Sequence, residues 1–287
     1  MMDNRINQSV RIANVFQLAV ITLLSFATIA LPAARAADLT AAEQCDREAG
    51  SEFDLERNRS FPAVDTEDIR IGIALSACRE AYNQNGNARV QFQLARVLDR
   101  AGQKIQSRRI LEEAAHNGHA LARVNYGALL AEAGEAEMAF SLYQQAAAAG
   151  NILAAYNLGV AYRDGVGTVT DGTLAIRWFE RASLAGDDVA AFNLAVMLDE
   201  GTAVPEDNLG AAKFYGLAAR RGNVDAMVNL GLMFESGEGV RRNPAVAQEL
   251  FRQAADRGDP FGQQKLDPIA TGSVLHAAMV AKMDRRK

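Results

Sequence analysis

The chain has 287 residues, of which 49% are hydrophobic, 23% charged and 7% aromatic. This composition is typical of a folded soluble protein and not of a disordered one, and the many alanines with few aromatic residues favour close-packed helices over a β-sandwich. The net charge of −5 argues against a nucleic-acid partner, because a protein that neutralises phosphates normally has a basic face.

Residues 1–36 have the three regions of a secretory signal peptide. Arg5 and Arg11 precede an apolar run from Val15 to Leu31, and Ala34-Arg35-Ala36 forms an A-x-A cleavage site. We expect cleavage after Ala36 and a periplasmic or secreted mature protein. An uncleaved N-terminal anchor is the alternative, because the apolar run is close to the lower limit for spanning a bilayer.

Residues 37–86 are predicted to form an N-terminal cap. A short helix is expected around Ala41 to Ala49, and a second helix from Glu67 to Tyr82. Cys45 and Cys78 are the two cysteines of the chain, and an even pair in an exported protein predicts a structural disulfide. A redox-active pair is the alternative, although neither cysteine belongs to a C-x-x-C motif.

The second half of the chain repeats itself every 36 residues. The repeated sets are the glycines Gly150, Gly186, Gly222 and Gly258, the aromatic residues Tyr143, Phe179, Tyr215 and Phe251, the polar residues Asp171, Asp207 and Asn243, and the asparagines Asn157, Asn193 and Asn229. Glycine suits helix ends, and Asp or Asn before an apolar-periodic stretch suits a helix N-cap. The unit is therefore predicted to be a pair of helices, repeated three times over residues 151–258.

Shorter and terminal units flank these repeats. Residues 87–150 contain two units of 32 residues, since Gln93 aligns with Asn125. In residues 259–287, Pro260 and Pro268 are expected to interrupt the pattern. A final capping helix is expected from Val274 to Met283, followed by a basic tail.

The best-preserved unit resembles a Sel1-like repeat. It consists of Ala155-Tyr156-Asn157-Leu158-Gly159-Val160-Ala161-Tyr162, then Asp164-Gly165-Val166-Gly167, Asp171, Ala175, Trp178-Phe179 and Ala182 to Gly186. The 32-residue units resemble the related tetratricopeptide repeats. The resemblance implies an all-α fold, an α/α solenoid forming a right-handed superhelix of about five helix pairs with capping helices. It also implies a scaffold for protein complexes, often in the bacterial envelope. Ala195 and Ala203 depart from the family pattern, because each replaces a usual glycine.

The sequence predicts no catalytic residues, cofactor or metal ion. It contains no H-E-x-x-H, G-x-S-x-G or S-x-x-K pattern and no P-loop. Gly165-Val166-Gly167 is interpreted as an inter-helix turn. His116 and His119 are interpreted as exposed turn residues, since two cysteines and three histidines do not readily supply a metal site.

The asparagine set supplies the candidate binding surface, because the family's first helices line a concave groove. An amide there can donate to and accept from an extended peptide backbone. The predicted groove residues are Asn125, Tyr156, Asn157, Asn193 and Asn229. The alternative is that these asparagines pack against neighbouring loops.

The expected function is that of an exported scaffold or adaptor for a protein or peptide partner. The partner would belong to an envelope complex. An alternative is a regulator of a membrane sensor kinase, similar to the periplasmic Sel1-repeat regulators of exopolysaccharide production. A β-lactam or cell-wall enzyme ranks last, because the family branch linked to β-lactams has a disulfide in each repeat, and this chain has no cysteine after Cys78.

Overall fold

The repeated residues of the sequence correspond to successive pairs of helices. The computed structural model describes residues 39–201 and 203–266. Over those residues it contains thirteen α-helices, one 3₁₀ helix (Thr66–Asp68) and no β-strand. The α-helices are α1 (Ala41–Ala49), α2 (Ile71–Asn85), α3 (Ala88–Arg100), α4 (Lys104–His116), α5 (Ala120–Glu132), α6 (Ala136–Ala148), α7 (Ile152–Asp164), α8 (Gly172–Leu184), α9 (Asp188–Glu200), α10 (Asn208–Arg220), α11 (Val224–Ser236), α12 (Pro244–Ala255) and α13 (Pro260–Leu266).

Five helix pairs form the body of the described chain, from α3–α4 to α11–α12. Each helix packs against its partner in the pair and against the adjacent helix of the next pair. We call α3, α5, α7, α9 and α11 the first helices and α4, α6, α8, α10 and α12 the second helices. This sequential packing is the architecture of a solenoid, and the predicted all-α solenoid is confirmed.

One side chain caps the start of each first helix and of α13, and these caps recur once in every repeat. The capping residues are Asn87, His119, Asn151, Asp187, Asn223 and Asp259. Each of them accepts a hydrogen bond from the backbone N–H three residues further on, which satisfies a group that the helix itself leaves unpaired. Positions in the first helices are counted below from these caps.

The second helices of the three longer pairs begin where the sequence predicts. Asp171, Asp207 and Asn243 accept hydrogen bonds from the N–H groups of the third residue after each, at 2.9, 2.9 and 3.3 Å. The three predicted N-caps are confirmed. Capping depends on a few consecutive residues, and the sequence alone therefore identifies it.

The repeated aromatic residues fill the space between the two helices of a pair. Tyr143, Phe179, Tyr215 and Phe251 are all buried on second helices. Opposite Phe179 lies Gly159 of α7, and a Cβ at Gly159 would lie 2.6 Å from a ring carbon of Phe179. The small residue at this position is therefore required by the close approach of the ring.

Each longer inter-helix turn packs closely against the start of the second helix of the preceding pair, and one of the two facing residues is a glycine. A Cβ at Gly167 would overlap the carbonyl of Ala136, the first residue of α6. At the next contact the turn carries Ala203, and the facing first residue of α8 is Gly172, whose added Cβ would overlap the Ala203 carbonyl. The departure from the family pattern at Ala203 is thus balanced by a glycine on the other side of the contact.

The N-terminal part of the described chain differs from its prediction in one element. Helix α1 lies where it was expected, and the Cys45–Cys78 disulfide links it to α2. The single helix predicted from Glu67 to Tyr82 is wrong, because Ile69 and Arg70 separate the 3₁₀ helix from α2. Ile69 is only 4% exposed, and the chain leaves the helical conformation there to bury this side chain.

The C-terminal part also differs from expectation at Pro260. This residue does not interrupt the helical pattern but is the first residue of α13, a position where the missing N–H of proline costs nothing. The break predicted at Pro268 and the capping helix predicted from Val274 to Met283 lie outside the described residues. No helix within residues 39–201 and 203–266 is both long enough and apolar enough to cross a membrane.

Candidate functional site

One face of each first helix carries the predicted asparagines. Positions 2, 6, 9 and 13 after the cap share a face of a helix with about 3.6 residues per turn, and we call these four residues the stripe of that helix. The stripes are Leu121, Asn125, Ala128 and Glu132 on α5, Leu153, Asn157, Val160 and Asp164 on α7, Val189, Asn193, Val196 and Glu200 on α9, and Asp225, Asn229, Leu232 and Ser236 on α11. Asn125 is exposed and the other three asparagines are half-buried.

Asn193 links two successive first helices. Its Oδ1 accepts a hydrogen bond from Nη1 of Arg163, twelve residues after the cap of α7, at 2.8 Å. Its Nδ2 donates to the Val189 carbonyl at 2.9 Å. The position twelve residues after one cap and the position six residues after the next cap also meet near the end of the described residues. There Nζ of Lys265 lies 2.6 Å from Oε2 of Glu235. At these repeats the asparagine position holds neighbouring units together.

Asn157 and Asn125 have a different environment. The position of α5 that is equivalent to Arg163 is Ala131, which offers no polar group. Within the described residues, the side-chain amides of Asn125 and Asn157 make no hydrogen bond. Asn125 instead lines a cavity of about 390 Å³ whose walls include Phe92 and Arg96. These two amides keep both donor and acceptor free for a ligand.

Tyr156 lies beside Asn157 but contributes mainly to packing. Its ring contacts the Phe179 ring with centroids 5.8 Å apart, and Phe192 and Tyr215 repeat the contact one unit later at 5.9 Å. Burial of the phenol raises the pKa of Tyr156. The predicted groove residue Tyr156 is half-buried.

The corresponding stripe of α3 is occupied by the chain itself. It consists of Arg89, Gln93, Arg96 and Arg100, and it contacts residues 39–68, which we call the front segment. Gln93 takes the asparagine position, and its Nε2 donates to Oδ1 of Asp46 at 2.9 Å. Arg89 Nη2 donates to Oδ2 of the same carboxylate at 3.2 Å. Asp46 is 1% exposed, and these two side chains hold it in place.

The other two residues of the α3 stripe bind main-chain oxygens of the front segment. Arg96 donates to the carbonyls of Ala49 and Val64 at 2.6 and 3.0 Å. Arg100 donates to the carbonyl of Glu67 at 3.3 Å. All four members of this stripe therefore donate hydrogen bonds to the same polypeptide segment. The sequence does not predict this contact, because Gln93 is recognisable there only as the counterpart of Asn125.

A second anchor of the front segment is the buried pair of Asp54 and His119. The interpretation of His119 as an exposed residue is wrong, since it is 0% exposed. Its Nδ1 accepts from the N–H of Ala122 at 3.1 Å, its Nε2 lies 3.1 Å from Oδ1 of Asp54, and its ring stacks on Phe92. Because Nδ1 accepts a hydrogen bond, it carries no proton, and Nε2 is the ring nitrogen that lies beside the Asp54 carboxylate. His116 is exposed, as predicted.

The described residues hold no group of three or more His, Cys, Asp or Glu side chains arranged to bind a metal ion. The geometry that they do show is a row of helix pairs whose first helices carry aligned amides, and one of these helices binds a polypeptide segment. The class of protein defined by this fold and surface is a helical repeat solenoid.

The family model of the Sel1 repeat matches residues 121–151, 152–187, 188–223 and 224–259. Residues 121–259 therefore consist of four Sel1 repeats. The first of these matches falls in the region of shorter units, which by sequence resemble tetratricopeptide repeats. Sel1 repeats generally bind protein partners. No curated protein matches the chain.

Two solved structures share the fold. A protective antigen of uropathogenic Escherichia coli strains, which displays an SLR fold, is 23% identical with a TM-score of 0.63. A Sel1 repeat protein from Oxalobacter formigenes is 25% identical with a TM-score of 0.59. Each comparison covers 68% of this chain, but only 44% and 58% of the respective neighbour. The chain thus spans about half the length of these proteins.

Proposed function

We propose that this protein is an exported, non-catalytic scaffold that binds a segment of a partner protein along the stripes of α5, α7, α9 and α11. The observation that carries the proposal is the contact between the α3 stripe and the front segment. That contact is an intramolecular example of a first-helix stripe holding a polypeptide. In this proposal residues 37–86 act as the N-terminal cap, and the later stripes take a segment from another protein.

The chemistry of the α7 stripe supports this role. Asn157 has a free amide, and Leu153 and Val160 on the same face are partly buried apolar side chains. A segment lying across the stripe would pair its backbone with the amide and cover the apolar groups with its own side chains. The amide would fix the position of the segment along the stripe, and the apolar contacts would supply most of the binding free energy.

Export is supported by the disulfide. Cys45 and Cys78 are both 0% exposed and bonded to each other, and such bonds persist mainly in oxidising compartments. We expect the protein purified from its native host to begin at Ala37 and to be lighter than the reduced chain by one pair of hydrogen atoms. Intact-mass analysis before and after reduction measures both quantities. A chain that retains residues 1–36, or that has free thiols, would contradict export with cleavage.

The binding surface is tested by filling it without changing its charge. We expect Asn157→Trp to abolish capture of the partner by a crosslinker in the native compartment, because the indole would cover the α7 stripe. The matched control is Gln144→Trp, which places the same side chain at an exposed position of second helix α6. Circular dichroism should show the parental helicity for both variants.

The proposal is wrong if Asn157→Trp captures the partner as efficiently as the parent does. It is also wrong if Gln144→Trp loses the partner to the same extent, because the surface used would then lie elsewhere. Asn193→Trp is a less specific variant, since it also removes the hydrogen bond from Arg163.

A further inference from the structure

The stripes of the first helices differ sharply in charge. The α3 stripe has three arginines and no acidic residue. The four stripes of α5, α7, α9 and α11 have no basic residue and four acidic ones, which are Glu132, Asp164, Glu200 and Asp225. All four carboxylates are exposed. The same face of the solenoid is thus positive at α3 and negative beyond it.

The occupied stripe shows how charge selects its ligand. The arginines of α3 bind the Asp46 carboxylate and main-chain carbonyls, which are the negative and partly negative groups of the front segment. Charge-assisted hydrogen bonds of this kind are stronger than neutral ones. By the same complementarity, the acidic stripes fit a segment that offers positive groups.

The basic residues of the same four helices form one ion pair with these carboxylates, between Arg163 and Asp164, and the charge of Arg163 also acts on Glu200. Arg123 donates to the Ala115 carbonyl at 3.1 Å. Arg163 pairs with Asp164 and also holds Asn193. Within the described part of the chain, Glu132 and Glu200 have no ion-pair partner.

Neighbouring carboxylates beside the α9 stripe are close enough to influence one another. Burial is the main cause that raises the pKa of Asp199; a hydrogen bond from Tyr215 lowers it, and the negative charges of Glu238, Glu200 and Glu206 raise it. A positive group placed here would favour the ionised carboxylate.

The same face also carries apolar residues. On α7 and α9, positions 2 and 9 are Leu153, Val160, Val189 and Val196, and the carboxylate is at position 13. We infer that the stripes of α5, α7, α9 and α11 bind a partner segment that carries both Lys or Arg residues and apolar residues. This inference rests on the proposed function and adds the chemistry of the partner to it.

Two synthetic peptides test the inference on the full mature chain. Both have the same apolar residues at alternate positions, with Lys in one peptide and Glu in the other at the remaining positions. We expect fluorescence anisotropy to show binding of the Lys peptide only, with weaker binding as salt is added. Glu132→Gln combined with Glu200→Gln should weaken that binding roughly threefold to tenfold, since each exposed charge contributes modestly.

The matched control removes two carboxylates from the second helices. Glu137→Gln combined with Glu180→Gln makes the same change in net charge on α6 and α8, and it should leave the affinity for the Lys peptide unchanged. Equal binding of the Lys and Glu peptides would overturn the inference. An equal loss of affinity for the Lys peptide in the two double variants would also overturn the inference, because the attraction would then depend on net charge alone.

The basic end of the chain is the competing occupant. If Arg285→Gln, Arg286→Gln and Lys287→Gln together increase the affinity for the Lys peptide, the stripes are occupied by this end and the assignment to a partner is overturned. If the Lys peptide does not bind while partner capture remains sensitive to Asn157→Trp, the inference of a basic partner segment is wrong and the proposed function stands. If the peptide does not bind and Asn157→Trp leaves capture unchanged, both are wrong.

Discussion

Replacing His119 by Ala is expected to lower the free energy of unfolding by about 3–4 kcal/mol, because it breaks a buried polar pair. Asp54 is 4% exposed and would lose the Nε2 contact at 3.1 Å. Helix α5 would lose its N-cap, and the Phe92 ring would lose its stacking partner. Urea denaturation followed by circular dichroism measures the change.

His116→Ala is the matched control for this prediction. The side chain is exposed and its Nδ1 contacts only the Glu112 carbonyl, so its loss should change the free energy of unfolding by less than about 0.5 kcal/mol. His119→Asn should fall between the two variants, since asparagine caps α3 and α7 at the equivalent position but does not reach Asp54. Equal stability of the His116→Ala and His119→Ala variants would show that the buried pair contributes nothing.

Replacing Gly172 by Ala is expected to lower the free energy of unfolding by about 2–3 kcal/mol, because the added methyl overlaps a backbone oxygen that cannot rotate away. The oxygen belongs to Ala203 in the turn of the following repeat. The variant should therefore separate two neighbouring units without changing any polar group. Chemical denaturation again measures the effect.

The neighbouring repeats predict how this variant can be rescued. At the preceding contact Gly167 faces Ala136, which is the reverse of Ala203 facing Gly172. Adding Ala203→Gly to Gly172→Ala does not remove the overlapping carbonyl, but glycine lets the turn adopt the left-handed backbone that Gly167 has opposite Ala136. Because the carbonyl can then move away from the added methyl, we expect the double variant to recover stability to within about 1 kcal/mol of the parent. A double variant as unstable as Gly172→Ala alone would mean that the two residues are not coupled.

Gly72→Ala is the control for the glycine prediction. This glycine also lies in the first turn of a helix, α2, but no heavy atom lies within 4 Å of the position that an added methyl would take. Because alanine has the higher helix propensity, this variant should be as stable as the parent or slightly more stable. A loss as large as that of Gly172→Ala would show that the helix position, and not the contact with Ala203, is responsible.

Much of the fold follows from local sequence. The caps at Asp171, Asp207 and Asn243 are predictable because a cap involves only the residues of one helical turn. The helix pairs are predictable because aromatic and glycine positions recur in phase. The break at Ile69 and the helix that starts at Pro260 are not, because packing of the terminal units determines where the backbone leaves or resumes the helix.

The candidate site was less predictable than the fold. The sequence places the asparagines in one set, but their environments differ. Asn193 accepts a hydrogen bond from Arg163, whereas the equivalent position before Asn157 is Ala131, and this distinction depends on which residues of neighbouring helices meet. His119 has the sequence context of a turn residue, and nothing near it in the chain indicates that Asp54 would bury it.

The sequence by itself determined the repeat, its helix pairs and their caps, since these depend on periodicity and on interactions within a few residues. Only the tertiary structure decided that the front segment covers the α3 stripe, which amides remain free, and which glycine accompanies Ala203. Those features depend on contacts between helices, where the geometry of packing selects partners that are distant in the chain.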